Sequence, residues 1–128
     1  MASELRLTTL ANNAGTESVD TTYVINGSAK ARIRYNQDTS TNVDSDNVSS
    51  YTDSAAGKSI VAFSSTMNNA TYNAITDGTN TDVGSAYDQT HSEAFTSSQF
   101  QVSTGVYSTG TVTTDFVLGQ AVVFGGLA

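Results

Sequence analysis

Residues 29–35 alternate between two kinds of side chain, and this alternation constrains the fold more than any other feature of the chain. One set is apolar and the other is basic: Ala29, Ala31, Ile33 and Tyr35 against Lys30, Arg32 and Arg34. A period of two residues is typical of a β-strand with one buried and one exposed face. The segment therefore predicts a strand whose solvent-facing side is a basic stripe, formed by Lys30, Arg32 and Arg34.

The basic stripe contains three of the five Lys and Arg residues in a chain of formal net charge -7. One partner for its charge is the protein's own carboxylates, on a neighbouring strand or subunit. The other is an external ligand, for which the stripe would be a contact surface. Opposite charges that face each other across a β-ladder are common and stabilise it modestly, which favours the first interpretation.

The composition of the whole chain also favours β-structure. Its 128 residues are enough for one domain, and 38% of them are hydrophobic. Ser, Thr and Asn make up more than a third of the chain, a mixture that suits exposed strands and turns better than helices. Because short alternating runs are separated by Gly and Asn turns, we predict an all-β fold, an antiparallel sandwich or jelly-roll-like knob.

Several partners are disfavoured by composition. Five cations are too few to bind a phosphate backbone over a broad face, so no nucleic-acid partner is expected. No segment approaches the roughly 20 apolar residues of a membrane span, and the first residues lack the features of a signal peptide, so no membrane partner is expected. The absence of cysteine excludes disulfides and thiolate metal sites.

The motifs that carry chemistry are weak. Gly57-Lys58-Ser59 lacks the earlier glycine of a phosphate-binding loop, because Thr52 occupies that position. His91 has no nucleophile motif beside it and is interpreted as a surface residue. Two acidic groups could offer oxygens to calcium but lack the spacing of an EF-hand loop: Asp44 with Asp46, and Asp77 with Asn80 and Asp82. We therefore expect no enzyme activity, no metal and no cofactor.

The chain is expected to divide into an N-terminal arm, residues 1–28, and a β-sandwich domain, residues 29–128. Within the arm, residues 21–25 are predicted to form a strand. The following Asn26-Gly27 is a strong two-residue hairpin signal and would pair that strand with residues 29–35.

The polar stretches of the domain are predicted to be loops. Residues 37–46 are acidic with Val43 as the single apolar residue, and residues 77–93 form the longest polar connection, with three Asp and one Glu. Residues 95–102 and 106–112 are predicted to be two separate short strands.

Two apolar runs, residues 59–63 and 116–124, carry more apolar surface than the inner face of one small sheet requires. Gly119, in the second run, predicts a bulge or a close approach of the backbone. The chain has no proline and few lysines, which natural sheets use to protect exposed edges. We therefore predict a homotrimeric interface with six candidate contact residues: Ile60, Phe63, Phe116, Val122, Val123 and Phe124.

Several segments, in order along nearly the whole chain, resemble the small fibre-like virion proteins of tailed bacteriophages, especially those of aquatic bacteria, usually described as tail fibre proteins. The matching segments are SELRLTTL followed by NNAGT, then AKARIRYN, NVSSYTD with SIVAF, MNNATY and VVFG. The chain departs from the pattern of this family at three places. Arg32 stands where an aromatic residue is common, residues 54–57 replace a Gly-Thr-Gly-like turn, and Gly126 replaces an Asp.

The resemblance implies a bacteriophage structural protein of the virion that is β-rich, homotrimeric, without enzyme activity and assembled in the host cytoplasm. It would be a tail fibre that touches the host surface or, alternatively, a capsid decoration (cement) protein or head fibre. Its partners would be other copies of itself, other virion proteins reached through the N-terminal arm, and a polysaccharide or receptor on the host surface. A carbohydrate-binding module is an alternative from another class, with Tyr72, Tyr87 and Tyr107 as candidates for the exposed aromatic cluster that it requires.

Overall fold

The structure, a computed structural model, describes residues 7–80, 87–107 and 111–128, except the side chains of residues 87–89, 106–107 and 111–113. It is mostly β, with one short helix, α1 (Thr21–Gly27). The strands, in chain order, are β1 (Thr9–Ala11), β2 (Ser18–Asp20), β3 (Ala29–Asn36), β4 (Thr41–Asp46), β5 (Val48–Ala55), β6 (Lys58–Phe63), β7 (Asn73–Thr79), β8 (Tyr87–Glu93), β9 (Gln99–Tyr107), β10 (Thr111–Thr113) and β11 (Leu118–Phe124). The predicted all-β class is confirmed.

The strands form three antiparallel sheets. The first large sheet has the order β4-β3-β11-β7, and the second contains β5, β6, β9, β8 and β10. In the second sheet, β6 and β8 pair with overlapping parts of β9 and therefore lie on its opposite edges. The short β10 pairs with the far end of β9. The third sheet is the small β1–β2 hairpin near the N-terminus.

The two large sheets approach each other along β7 and β8. The Thr90 hydroxyl donates to the Thr76 carbonyl at 3.0 Å, and the Ser92 hydroxyl donates to the Ala74 carbonyl at 2.9 Å. Along the other side, β4 continues into β5 through Asn47, whose side chain donates to the Lys30 carbonyl at 2.9 Å. Side chains therefore satisfy backbone groups where no ladder connects the sheets.

One hydrophobic core receives side chains from both large sheets. Its buried members are Ala31, Ile33, Tyr35, Val61, Phe63, Met67, Tyr72, Phe100, Val102, Ala121 and Val123. Alternation on β3 is confirmed from Lys30 onward, because Ala31, Ile33 and Tyr35 are buried while Arg32 and Arg34 are exposed. Ala29, at the start of the strand, is exposed.

The predicted hairpin around Asn26-Gly27 is wrong, because residues 21–27 form α1 instead of a strand. Both edges of β3 are already occupied, by β4 and by β11, so no edge remains for a strand from the arm. The Asp20 carboxylate accepts a hydrogen bond from the Thr22 amide at 2.7 Å and caps the start of the helix.

Both predicted polar loops contain a strand. Residues 41–46 form β4, and residues 87–93 form β8, while residues 81–86 lie outside the described part. β4 lies at the edge of its sheet and is largely exposed, so its sequence needs no apolar alternation. The prediction of separate strands over residues 95–102 and 106–112 is also wrong, because β9 runs continuously from Gln99 to Tyr107.

Gly119 marks the close backbone approach that the sequence predicts for the last strand. A Cβ atom at Gly119 would lie 2.2 Å from two ring carbons of Tyr35, which is opposite it on β3. The glycine therefore makes room for a fully buried tyrosine ring. Tyr35 also stacks on Tyr51 of the second sheet, with ring centroids 5.3 Å apart.

Candidate interaction surfaces

The outer face of the β4-β3-β11-β7 sheet, which we call the outer face, carries the predicted basic stripe. Arg32 is held by two carboxylates of the neighbouring strand β4: its Nη1 lies 2.6 Å from Asp44 Oδ2, and its Nε lies 2.5 Å from Asp46 Oδ2. The hydrogen bond from Arg32 lowers the pKa of Asp44. The interpretation that the protein's own carboxylates partner the stripe is therefore confirmed for Arg32.

Lys30 has a different role. Its Nζ donates hydrogen bonds to the Ile25 carbonyl and the Ser28 hydroxyl, at the end of α1. The last carbonyls of a helix have no partner within the helix, and a cation there also interacts favourably with the helix dipole. Lys30 therefore fixes the junction between α1 and β3.

Arg34 lies in the middle of the outer face, opposite Asp44 on β4 and Gln120 on β11. No ion pair of 4.0 Å or less involves it among the described residues, although its charge contributes to the lowered pKa of Asp44. It borders a cavity of about 300 Å³ whose other side chains include Asp77, Leu118 and Gln120. Of the three cations, Arg34 is therefore the one available to a partner.

Apolar side chains occupy the β11–β7 half of the outer face. Val122 on β11 is paired with Arg32 on β3 and with Ile75 on β7. Phe124 follows two residues later on β11, on the same face as Val122. Ile75 is 60% exposed, Leu118 is exposed, and Val122 and Phe124 are partly exposed. We call Ile75, Leu118, Val122 and Phe124 the apolar row.

The six candidate interface residues divide into two sets. Phe63, Phe116 and Val123 are buried inside the single chain, so a neighbouring subunit cannot contact them and their assignment to the interface is corrected. Phe63 and Val123 point into the core because side chains alternate on β6 and β11, whereas Phe116 precedes β11 and is buried where its backbone pairs with Gln37. Ile60, Val122 and Phe124 are partly exposed and stay predicted contacts, although Ile60 lies on the other large sheet.

The segment from Leu7 to Gly27, which we call the N-terminal segment, exposes apolar side chains. It contains the β1–β2 hairpin and α1, and among these residues only Thr21 is even partly buried. Tyr23 is 75% exposed and Ile25 is 57% exposed. The other exposed apolar residues of the segment are Leu7, Leu10, Val19 and Val24.

Comparisons with protein-family models, curated proteins and solved structures find no match to this chain. Its surfaces are therefore interpreted from their own geometry.

A polar cluster around Glu93 lies on the outer side of the second large sheet. Glu93 Oε1 accepts hydrogen bonds from Ser103 Oγ and, at 2.7 Å, from Gln101 Nε2, and it lies 3.5 Å from Lys58 Nζ. The bond from Ser103 lowers the pKa of Glu93. His91 Nε2 is 3.9 Å from the second carboxylate oxygen, Oε2.

This cluster does not have the order of a catalytic triad. A triad places the histidine between the serine and the carboxylate, so that the imidazole accepts the serine proton. Here Ser103 donates directly to Glu93, while His91 is solvent-exposed, as predicted from the sequence. The cluster instead joins β6, β8 and β9 through their side chains.

Gln37 lies in the turn of residues 37–40, as the predicted loop requires, but the sequence analysis missed that its side chain is buried in a hydrogen-bond network. Gln37 is fully buried, and its Oε1 accepts from the Phe116 amide at 3.0 Å and from the Thr104 hydroxyl at 2.7 Å. Its Nε2 donates to Ser59 Oγ at 3.0 Å, and this oxygen lies 2.8 Å from the Tyr51 hydroxyl. The network is enclosed, so it stabilises the fold and offers no surface to a ligand.

The remaining sequence candidates have structural roles or lie outside the described residues. Lys58 and Ser59 belong to β6, directly after the Gly57 turn, and no helix follows them as a phosphate loop requires. Asp44 and Asp46 bind Arg32, and Asp82 is not described. Over residues 7–80, 87–107 and 111–128, no group of three or more acidic or His side chains could hold a metal ion.

Tyr72 cannot belong to the exposed aromatic cluster that a carbohydrate-binding module requires. Tyr72 is buried against Phe63 and Phe95, and its hydroxyl donates to the Gln99 carbonyl at 2.7 Å. The side chains of Tyr87 and Tyr107 lie outside the description, although the backbones of the two residues are paired.

In the described part of the chain, no helix is long and apolar enough to cross a membrane.

Proposed function

We propose that this protein is a structural protein of a bacteriophage virion, a tail fibre or another appendage that contacts the host surface. The observation that carries the proposal is the N-terminal segment, which exposes six large apolar side chains beside an antiparallel β-body. Exposed apolar side chains that lie close together mark a surface that binds another molecule, and in this proposal the cover is another protein. The sequence resembles fibre-like virion proteins, and in a virion the neighbouring proteins would cover these apolar side chains.

The body suits the same role. Its two large sheets, with a shared core and side-chain bonds between β7 and β8, are consistent with a sandwich or jelly-roll-like knob. We propose that three such knobs associate through exposed sheet surfaces, and that the assembly contacts a polysaccharide or receptor of the host. Within the Glu93 cluster and within the Gln37 network, the polar side chains are hydrogen-bonded to one another. This fits a protein that acts by binding instead of by catalysis.

The proposal is tested on purified phage particles of the virus that encodes the chain. An antibody against the protein, visualised by immunogold electron microscopy, should label the particle at its tail. Labelling spread over the capsid, with a copy number close to that of the capsid protein, would assign it to the alternative role of capsid decoration or head fibre. Absence of the chain from purified particles would refute both roles.

A further inference from the structure

Two apolar surfaces stay uncovered in the described chain, and the outer face carries a cation, whereas the N-terminal segment carries none. The N-terminal segment presents Leu7, Leu10, Val19, Tyr23, Val24 and Ile25, and the outer face presents the apolar row of Ile75, Leu118, Val122 and Phe124. The N-terminal segment has Glu17 and Asp20 but no Lys or Arg. The outer face has Arg34, which makes no ion pair within the described residues.

The N-terminal segment needs a packing partner to be stable. A two-stranded hairpin is marginal in water, and isolated helices shorter than about 12 residues are marginal even with favourable sequences. The seven residues of α1 include four β-branched residues and a glycine, which are poor helix formers. No residue of the helix is buried in the single chain, so its stabilisation must come from another surface.

In the structure, the segment does not pack on the outer face of its own chain. Only Ser28 separates α1 from β3, and Lys30 bonds the end of the helix to the start of the strand. The hairpin is joined to the same unit, because the Thr21 amide donates to the Thr8 carbonyl at 2.9 Å. The segment is thus joined to the end of β3 with its apolar side chains exposed, where another molecule can cover them.

We propose that the N-terminal segment of one copy packs on the outer face of a second copy, with its apolar side chains on the apolar row and its carboxylates towards Arg34. The position of the segment fits this exchange, because it leaves the body at Ala29, which is paired with Phe124 at one end of the apolar row. The inference rests on the homo-oligomer in the proposed function and assigns its contacts.

The first experiment measures association of the full chain by sedimentation velocity over a range of concentrations. Tyr23→Asp in the segment and Ile75→Asp on the outer face should each raise the dissociation constant about tenfold or more, because a charge replaces a buried apolar contact. The matched controls add the same charge at exposed polar positions, Asn13→Asp in the β1–β2 turn and Ser50→Asp on the other large sheet, and should associate like the parent. Ile75→Ser, without the added charge, repeats the test if Ile75→Asp unfolds.

The second experiment mixes the two defective variants. The Tyr23→Asp chain keeps an intact outer face, and the Ile75→Asp chain keeps an intact segment, so exchange between copies predicts that the mixture regains part of the association that each variant lost. Packing of each segment on its own chain predicts no recovery. Each variant must keep the circular dichroism spectrum of the parent.

The outcomes separate this inference from the proposed function. A parent that is monomeric at high concentration would refute both the exchange and the homo-oligomer. Variants that associate as tightly as the parent, or a mixture without recovery, would refute the exchange but leave a homo-oligomer with other contacts. The role in the virion is tested independently, by the presence of the chain in purified particles.

Discussion

Replacement of Gly119 by alanine tests the packing between β11 and β3. The new Cβ atom would lie 2.2 Å from two ring carbons of Tyr35 and 2.5 Å from its hydroxyl oxygen. These separations are far below van der Waals contact, so the ring or the strand must move. The ring is fully buried and stacked on Tyr51, which leaves it little room.

The magnitude follows from two opposing effects. Overpacking in a filled core costs about 1–3 kcal/mol. Alanine also makes the unfolded chain less flexible than glycine does, and this stabilises the folded state by about 0.4–1 kcal/mol where the backbone can accept alanine. Gly119 is such a position, because its φ is not positive. We expect Gly119→Ala to lower the free energy of unfolding by about 1–2 kcal/mol and the Tm by about 3–8 °C.

The assay is urea and thermal unfolding followed by circular dichroism, with Gly27→Ala as the control. A Cβ atom at Gly27 would meet no other atom within 4 Å among the described residues, so this replacement should change the Tm little. In a Tyr35→Leu background, the cost of Gly119→Ala should fall, since the ring that it meets is gone. An unchanged Tm for Gly119→Ala, or the same cost in both backgrounds, would refute the proposed contact.

Three further predictions concern buried hydrogen bonds and pH. In urea unfolding, Tyr35→Phe should be neutral or stabilising by up to about 1 kcal/mol, because the Tyr35 hydroxyl is buried without a partner in the described structure. In contrast, Tyr72→Phe should lower the free energy of unfolding by about 0.5–1.5 kcal/mol, because the Tyr72 hydroxyl loses its hydrogen bond to the Gln99 carbonyl. Gln37→Leu should lower the free energy of unfolding by about 2–4 kcal/mol, since it leaves several buried groups unpaired; a cost below that of Tyr72→Phe would contradict this. The pKa values of Asp44 and Glu93 are lowered in the folded protein, so their stabilisation is fully present above the ordinary pKa values of 3.8 and 4.5. This stabilisation is lost as the pH falls through the lowered pKa values. A free energy of unfolding that stays constant below pH 4.5 in an acid titration would contradict both pairings.

The parts of the fold that the sequence predicted are those where one face of a strand is buried. The alternation through Ala31, Ile33 and Tyr35 identified β3 and its buried side, because burial of one face requires a period of two. The same reasoning fails for β4 and β8, which lie at sheet edges and have polar sequences that look like loops. Their strand character comes from the partners β3 and β9, which a local pattern does not contain.

The Gln37 network shows that a correctly predicted turn residue can still have a buried side chain. Gln37 continues the alternation that buries Ile33 and Tyr35, so the period of two places it on the inner side. Its polarity correctly predicted the turn of residues 37–40, but not the burial of the side chain. What makes the buried position possible is a set of partners distant in the chain, Ser59, Thr104 and Phe116, and no local signal contains them.

The candidate surfaces were harder to predict than the core, because the sequence does not separate core residues from contact residues within an apolar run. Residues 116–124 are apolar except for Gln120, yet Val123 is buried while Val122 faces outward. Register on β3 and β7 decides this: Val122 is opposite Arg32 and Ile75, both exposed. An interface prediction from such a run requires the sheet, because a shift of one residue exchanges the two faces.

The pairing of charges on the outer face also determines which half of that face can be buried in an oligomer. Arg32, Asp44 and Asp46 lie on β3 and β4, and their charges are already paired within the chain. Burying this group against a neighbour would remove charges from water without supplying new partners, which is costly. The β11–β7 half has the exposed apolar side chains of Ile75 and Leu118 and favours burial. A partner that covers this half leaves the Arg32 ion pairs at the solvated rim, where charged residues are common in protein interfaces.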